Sequence, residues 1–219
     1  MKIYLATGNS NKKREMEQIL PDDHIVIPSD EGIPFDPEET GTTFYENSLI
    51  KARALWDIVH APVLADDSGL CIDALGGIPG IYSSRYAGPA FPQGRPDGKK
   101  IPQEDQNRFI IEQTNEALRN GVTGAGNFIN GPRSCRYVCS MVFLFSKERF
   151  LIARETMEGT LVSSIEQAAG TGGFGYDPLF FLPDYGKTAA QLTDDEKNAV
   201  SHRGKAARIV YAGIALFRN

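Results

Sequence analysis

Apolar residues fall in short runs divided by polar stretches, and the period of the runs changes along the chain. "KIYLA" is followed at once by the polar "TGNSNK" and reads as a buried strand. Met16, Ile19 and Leu20 then recur at i, i+3 and i+4, the spacing of one helix face. "HIVI" is a second short strand, and an acidic, proline-bearing loop follows from Pro28 to Thr42. Thr43 and Glu46 form a capping box, and the helix it opens carries Tyr45, Leu49, Ala52, Trp56 and Val59 as one apolar stripe. "PVLA" is the next strand and runs straight into Asp66-Asp67-Ser68-Gly69.

Residues 88–104, "GPAFPQGRPDGKKIPQE", are too rich in Pro, Gly and Lys to hold a regular element. They predict a surface excursion leading into a helix over about residues 105–120, then the glycine-rich "GVTGAGNFINGP". "CRYVCSMVFLF" and "RFLIARETMEG" read as two strands joined by "SKE", a hairpin and the start of a second lobe. After the strand-like "LFFL", Thr193 and Glu196 form a second capping box. The closing helix has Ala207, Val210, Ile214 and Phe217 on one side. Strands alternating with helices predict an α/β sheet, whose ligands collect beyond the carboxyl ends of strands. "TGNSNK" and "DDSG" are both expected at such ends.

At 219 residues the chain is read as one domain, 1–219, bilobed, with no internal repeat. A net charge of −5 argues against binding a nucleic acid polymer by phosphate neutralisation, but leaves a small anion open. Three scattered cysteines fit a reducing cytoplasm better than a disulfide framework. No run approaches the roughly 18 apolar residues that span a bilayer.

Successive strand residues face opposite sides, so Asp66 and Asp67 are not expected to form one dyad unless the strand has already ended. A carboxylate there suits a hard cation such as magnesium, with Glu38 or Glu39 of the acidic loop as a second ligand. The same residues also suit a plain Asp-Ser-Gly turn. Ser68 lacks the Gly-x-Ser-x-Gly setting of a hydrolase nucleophile. "TGNSNK" is either an anion-binding helix start or ordinary capping. Lys51 and Asn47 share a helix face off the apolar stripe, either for a ligand or for solvent. Gly170, Gly172 and Gly175 spell G-x-G-x-x-G, but Pro178 and "LFFL" follow where a dinucleotide fingerprint needs a helix. A loop bearing Phe174 and Tyr176 could instead stack on a base, or be a tight connection. His202-Arg203 reads as an exposed donor pair at a helix start.

Taken together, five stretches make the chain resemble the inosine/xanthosine triphosphate pyrophosphatases. They are "TGNSNK", "EETGTTFYENSLIKA", "ADDSGLCIDALGGIPGIYSSRYAG", "GTGGFGYDPLF" and "EKNAVSHRGKA", in the family's order. The resemblance implies an elongated central mixed sheet flanked by helices, with two lobes and an active-site cleft between them. It implies hydrolysis of ITP, dITP and XTP to the monophosphate and pyrophosphate with Mg2+, in a cytoplasmic homodimer. Carried over by motif, Asp67 is the catalytic acidic residue and a metal contact, and Glu39 is the other metal carboxylate. Thr7, Gly8, Asn9, Ser10, Asn11, Lys12 and Ser68 contact substrate, and Lys51 and Lys197 hold phosphates. Phe174, Gly175, Tyr176 and Asp177, with His202 and Arg203, line the base site. Ser48 stands where the family commonly has Ala, and the segment 89–130 looks longer than usual. Alternatives are a related pyrophosphatase for modified or pyrimidine nucleotides, or a non-catalytic nucleotide sensor.

Overall fold

The structure, a computed structural model, describes residues 1–122, 131–173 and 175–216. Seven strands form one sheet: β1 (Lys2–Leu5), β2 (His24–Val26), β3 (Val63–Ile72), β4 (Ser134–Ser146), β5 (Arg149–Leu161), β6 (Phe180–Leu182) and β7 (Lys187–Thr188). Their order is β2-β1-β3-β4-β5-β6-β7. β1 pairs in parallel with β2 and β3, while β5–β6 and β6–β7 are antiparallel, so the sheet is mixed as expected. The helices are α1 (Ser10–Ile19), α2 (Phe44–Val59), α3 (Gln103–Arg119), α4 (Asp194–Val200) and α5 (His202–Ala215). Among the described residues no helix is long and apolar enough to cross a membrane.

The chain divides into two compact units: Met1–Ser68 with Val138–Thr156 and Asn198–Asn219, and Gly69–Tyr137 with Met157–Lys197. In the first, the sheet is buried on both faces. Ile3, Leu5, Leu64, Met141 and Phe143 pack with Met16 of α1 and with Ala206, Val210 and Ile214 of α5. Tyr4, Ala6, Val63, Ala65, Val142 and Leu144 pack with Ala52 and Leu55 of α2. The period of two in β1, β3 and β4 thus assigns alternate residues to α1/α5 or to α2. In the second unit, Leu70, Ile72, Tyr86, Ile110, Ile111 and Phe180 are buried, and the rings of Tyr137 and Phe180 lie 4.8 Å apart.

Both capping boxes form. Glu46 N–H donates to Thr43 Oγ1 while Thr43 N–H donates to Glu46, and Thr193 and Glu196 repeat the exchange. α4 and α5 are separate helices, and Ser201 caps α5 by accepting from Gly204 N–H at 3.0 Å, so His202-Arg203 stand at a helix start as expected. Two expectations need correction. β3 does not stop at Ala65 but continues through the aspartates to Ile72. Of the apolar stripe on α2, Ala52 is on the deepest face, with Phe44, Asn47, Ser48, Lys51 and Leu55, while Tyr45, Leu49, Trp56 and Val59 are only half-buried around it. Phe217 of the predicted stripe and the core of the glycine-rich 121–132 segment lie outside the described residues.

Candidate active site

The pairing of β1 with β3 ends at Leu5 and Leu64, with one further bond from Ala6 N–H to Leu64 O. From Ala65 onward β3 runs past the carboxyl end of β1. The strand end that matters is therefore that of β1, and the aspartates sit beside it on an uninterrupted strand. There is no Asp-Ser-Gly turn.

Strand alternation then separates the pair. Asp67 follows Val63 and Ala65 onto the α2 side, where Asn47 Nδ2 donates to its Oδ2 at 3.2 Å and Lys51 Nζ donates to its Oδ1 at 3.1 Å. The same ammonium lies 2.9 Å from Glu39 Oε1. Lys51 is 8% exposed, so the solvated-face alternative is excluded. Asn47 is fixed in turn, since its Oδ1 accepts from Gly41 N–H at 2.9 Å. A Cβ on Gly41 would fall 2.6 Å from that oxygen, so only glycine lets the acidic loop approach α2 this closely. Burial, and then Glu39, push the Asp67 carboxyl above its ordinary range against the pull of Lys51. Burial works against the Lys51 charge, but Asp67, Asp66 and Glu39 outweigh it and hold its proton more tightly than usual.

Asp66 follows Leu64 onto the α1/α5 side. Lys12 Nζ donates to both its oxygens at 2.9 Å, Ser68 Oγ to Oδ2 at 2.8 Å, and Arg203 Nε to Oδ2 at 3.2 Å. Burial resists its charge, but Lys12, Arg203 and Lys51 overcome that and hold it far below the usual carboxylate range. Arg203 and His202, expected to be exposed, are 3% and 6% exposed. They start α5, packed under the sheet. Arg203 Nη1 donates to Glu15 of α1. In "TGNSNK", Thr7 Oγ1 accepts from Asn9 N–H at 3.1 Å, and Asn9 caps α1 by accepting from Asn11 N–H at 2.9 Å. Thr7 is half-buried, and Gly8, Ser10 and Asn11 are exposed around the helix start. Ser48 is buried, with its hydroxyl bonded 2.9 Å from the Phe44 and Tyr45 carbonyls, so the extra oxygen is satisfied locally.

In the second unit, Lys197 Nζ donates to Asp177 Oδ2 at 2.7 Å, and both are largely buried. The Tyr137 phenol is pushed well up by burial and by its hydrogen bond with Asp177. Gly173 lies against this pair with φ +73°, and a Cβ there would sit 2.0 Å from Asp177 Oδ2. Tyr176 is buried and its hydroxyl donates to Ser83 O at 3.1 Å. Gly175 is half-buried; Phe174 lies outside the described residues.

Three functional groups were not visible in the sequence: Asp66 as a hub, Asn47 as a partner of Asp67, and Glu15 on Arg203. The available signals were the i, i+4 spacing of Asn47 and Lys51, which puts both on one side of α2, and the i, i+3 spacing of Lys12 and Glu15, which puts a cation and an anion on one side of α1. Among the described residues no group of three or more His, Cys, Asp or Glu is arranged to hold a metal ion. Glu39 and Asp67 nevertheless converge on one cationic atom, and two carboxylates completed by substrate oxygens and water suit magnesium.

Residues 3–212 match the model of the Ham1 family. The chain is 50% identical over 206 residues to a dITP/XTP pyrophosphatase of Treponema denticola, covering 94% of each. It is 40% identical over 213 residues to a dITP/XTP pyrophosphatase of Shigella flexneri, covering 95% of each. Among solved structures it is similar to a HAM1 protein from Coxiella burnetii, with a TM-score of 0.80 and 34% identity over 98% of both chains. A Ham1 protein of Staphylococcus aureus gives a TM-score of 0.73 at 32% identity, again over 98% of both. With a match to nearly all of its length, this chain belongs to the Ham1 family.

Proposed function

We propose that the protein is a nucleoside triphosphate pyrophosphatase that hydrolyses ITP, dITP and XTP to the monophosphate and pyrophosphate. The observation that carries this reading is the buried Lys51–Asp67 pair with half-buried Glu39 on the same ammonium, beside the end of β1, in a chain 50% identical to a dITP/XTP pyrophosphatase.

Asp67, held in place by Asn47 and Lys51, accepts the proton of the attacking water. Glu39 and Asp67 would hold Mg2+, which when bound supplies positive charge against the phosphates and the leaving pyrophosphate. Lys51 holds phosphate oxygens from α2, as Lys197 does in the second unit. Lys12 and the α1 start from Thr7 to Asn11, with Ser68, contact the substrate on the Asp66 side. Arg203 and His202 donate to the base. A 6-oxo purine accepts there, whereas adenine presents an amino donor and leaves a buried donor unpaired, a penalty that can discriminate strongly. In the second unit Gly175, Tyr176 and Asp177, with Phe174, are assigned to the base. The reading includes a cytoplasmic homodimer, which light scattering of the purified protein checks for mass.

The test is pyrophosphate release from ITP, XTP, GTP and ATP, with magnesium or with chelator, by wild type and Asp67→Asn. Release from ITP and XTP that needs both magnesium and Asp67 supports the reading, and equal turnover of ATP sinks the specificity. Tight ITP binding without cleavage would make the protein a nucleotide sensor.

A further inference from the structure

We propose that Tyr137 is a positioning residue for substrate binding: its phenol holds the Asp177 carboxylate in place while the ammonium of Lys197 passes from that carboxylate to a substrate oxygen. That role rests on the assignment of Lys197 to the substrate. In the structure Lys197 is committed to Asp177, since its Nζ donates to Oδ2 at 2.7 Å with both side chains largely buried. To hold a substrate oxygen the ammonium must give up that bond or share it. A buried carboxylate that loses a donor bears the desolvation cost of its charge, so the exchange is easiest when another donor stays. Tyr137 is such a donor. Its hydroxyl is hydrogen-bonded to Asp177, and burial beside that carboxylate keeps the phenol protonated.

The sheet brings the hydroxyl to this point. Tyr137 stands on β4 and Phe180 on β6, with β5 between them, yet their rings lie 4.8 Å apart at 37°. Gly159 of β5 leaves the space for Phe180, because a Cβ there would fall 2.5 Å from its Cε1. Phe180 N–H donates to Asp177 O, so one short turn carries both the ring that stacks on Tyr137 and the carboxylate that its hydroxyl meets. Gly173 closes another side, with no room for a Cβ beside Asp177 Oδ2 or Lys197 Nζ. Of the three groups, Lys197 alone has a long flexible stem, so an exchange moves its ammonium and leaves Asp177 and Tyr137 where they are. Without the phenol, Asp177 leans harder on Lys197 and the ammonium is costlier to release.

The experiment is a double-mutant cycle of Tyr137→Phe and Lys197→Met, read as KM and kcat for ITP, with affinities for ITP and for tripolyphosphate by calorimetry and thermal melts alongside. Tyr137→Phe keeps the ring against Phe180 and removes only the hydroxyl. It is expected to raise KM for ITP about 10-fold with kcat within about 2-fold of wild type, the pattern of binding lost equally from ground and transition states. The effect is expected to vanish in the Lys197→Met background, where there is no ammonium to release. Weaker tripolyphosphate binding places the oxygen on the phosphates, and a loss confined to ITP places it on the base carbonyl; either supports the exchange. Unchanged KM and affinity, an equal effect in both backgrounds, or a lower melting temperature as the sole change would overturn it while leaving a wild-type hydrolase intact. If wild type cleaves no triphosphate, the hydrolase reading fails and the same cycle is read from ITP affinity, where coupling supports the exchange and additivity or absent binding overturns it. Should Tyr137→Phe not fold, Tyr137→Met removes the same hydroxyl with an adaptable apolar side chain and carries the same cycle.

Discussion

The ammonium of Lys51 lies 3.1 Å from Oδ1 of Asp67, with both side chains buried, and 2.9 Å from Oε1 of Glu39. Two carboxylates share one cation, and burial raises the proton affinity of Asp67. Asp67→Asn is therefore expected to abolish pyrophosphate release while shifting the melting temperature by no more than about 4 °C, the effect of roughly 1 kcal/mol in a chain this size. Calorimetry beside the release assay separates the two outcomes. A fall in melting temperature matching the loss of activity would make Asp67 structural.

Asp66 should behave in the opposite way. Its removal takes a carboxylate from Lys12 and from the buried Arg203, which keeps Glu15, so Asp66→Ala is expected to cost about 3–5 kcal/mol, read by denaturant unfolding. A variant as stable as wild type would show that the two cations find other partners.

The same carboxylate sets an acid limb of stability. In the fold Asp66 is held below its ordinary value of 3.8, so the unfolded chain takes up its proton first as pH falls. Its contribution is complete above 3.8 and is lost as pH drops below it toward the folded value. Asp66→Asn should flatten the decline of stability with acid below that point, and an unchanged slope would assign the decline to other groups.

In the second unit, Gly173→Ala would place a methyl 2.0 Å from Asp177 Oδ2 and 2.8 Å from Lys197 Nζ, at a φ of +73°. Strain of this kind costs about 1–3 kcal/mol, and the displaced atoms are those assigned to base and phosphate. ITP turnover is expected to fall further than the melting temperature alone explains; turnover equal to wild type would detach the Asp177–Lys197 pair from the reaction.

Cys135 and Cys139 are buried, and burial pushes the Cys139 thiol up to about 12 and the Cys135 thiol higher. Neither should react with a thiol reagent at neutral pH in the native protein, while all three cysteines should react after denaturation. Native labelling at Cys139, found by peptide mapping, would contradict its burial.

What could be read from the sequence was local. Thr43 with Glu46 and Thr193 with Glu196 declare helix starts over four residues, and both form as expected. The apolar runs of β1 and β4 read as strands, and both are, with alternate residues facing α1/α5 or α2. The length of β3 was hidden because Asp-Asp-Ser-Gly resembles a turn, and only distant partners such as Lys12, Lys51 and Arg203 hold those polar residues inside a strand. The buried face of α2 was misread for the same reason: Asn47 and Lys51 are polar by composition and interior by partnership. Short β7 carries no pattern in its two residues. Glu15 was out of reach, since its partner Arg203 stands 188 positions away.

β3 also restricts how this chain can change over generations. Deleting either Leu64 or Ala65 would carry Asp67 round toward Arg203 and bring Ser68 opposite Lys51. Gains or losses of two residues keep each side chain on its own side; odd ones do not. Parity, a property of the backbone and not of any side chain, thus guards this segment against insertions and deletions that the long excursion at 88–104 can absorb.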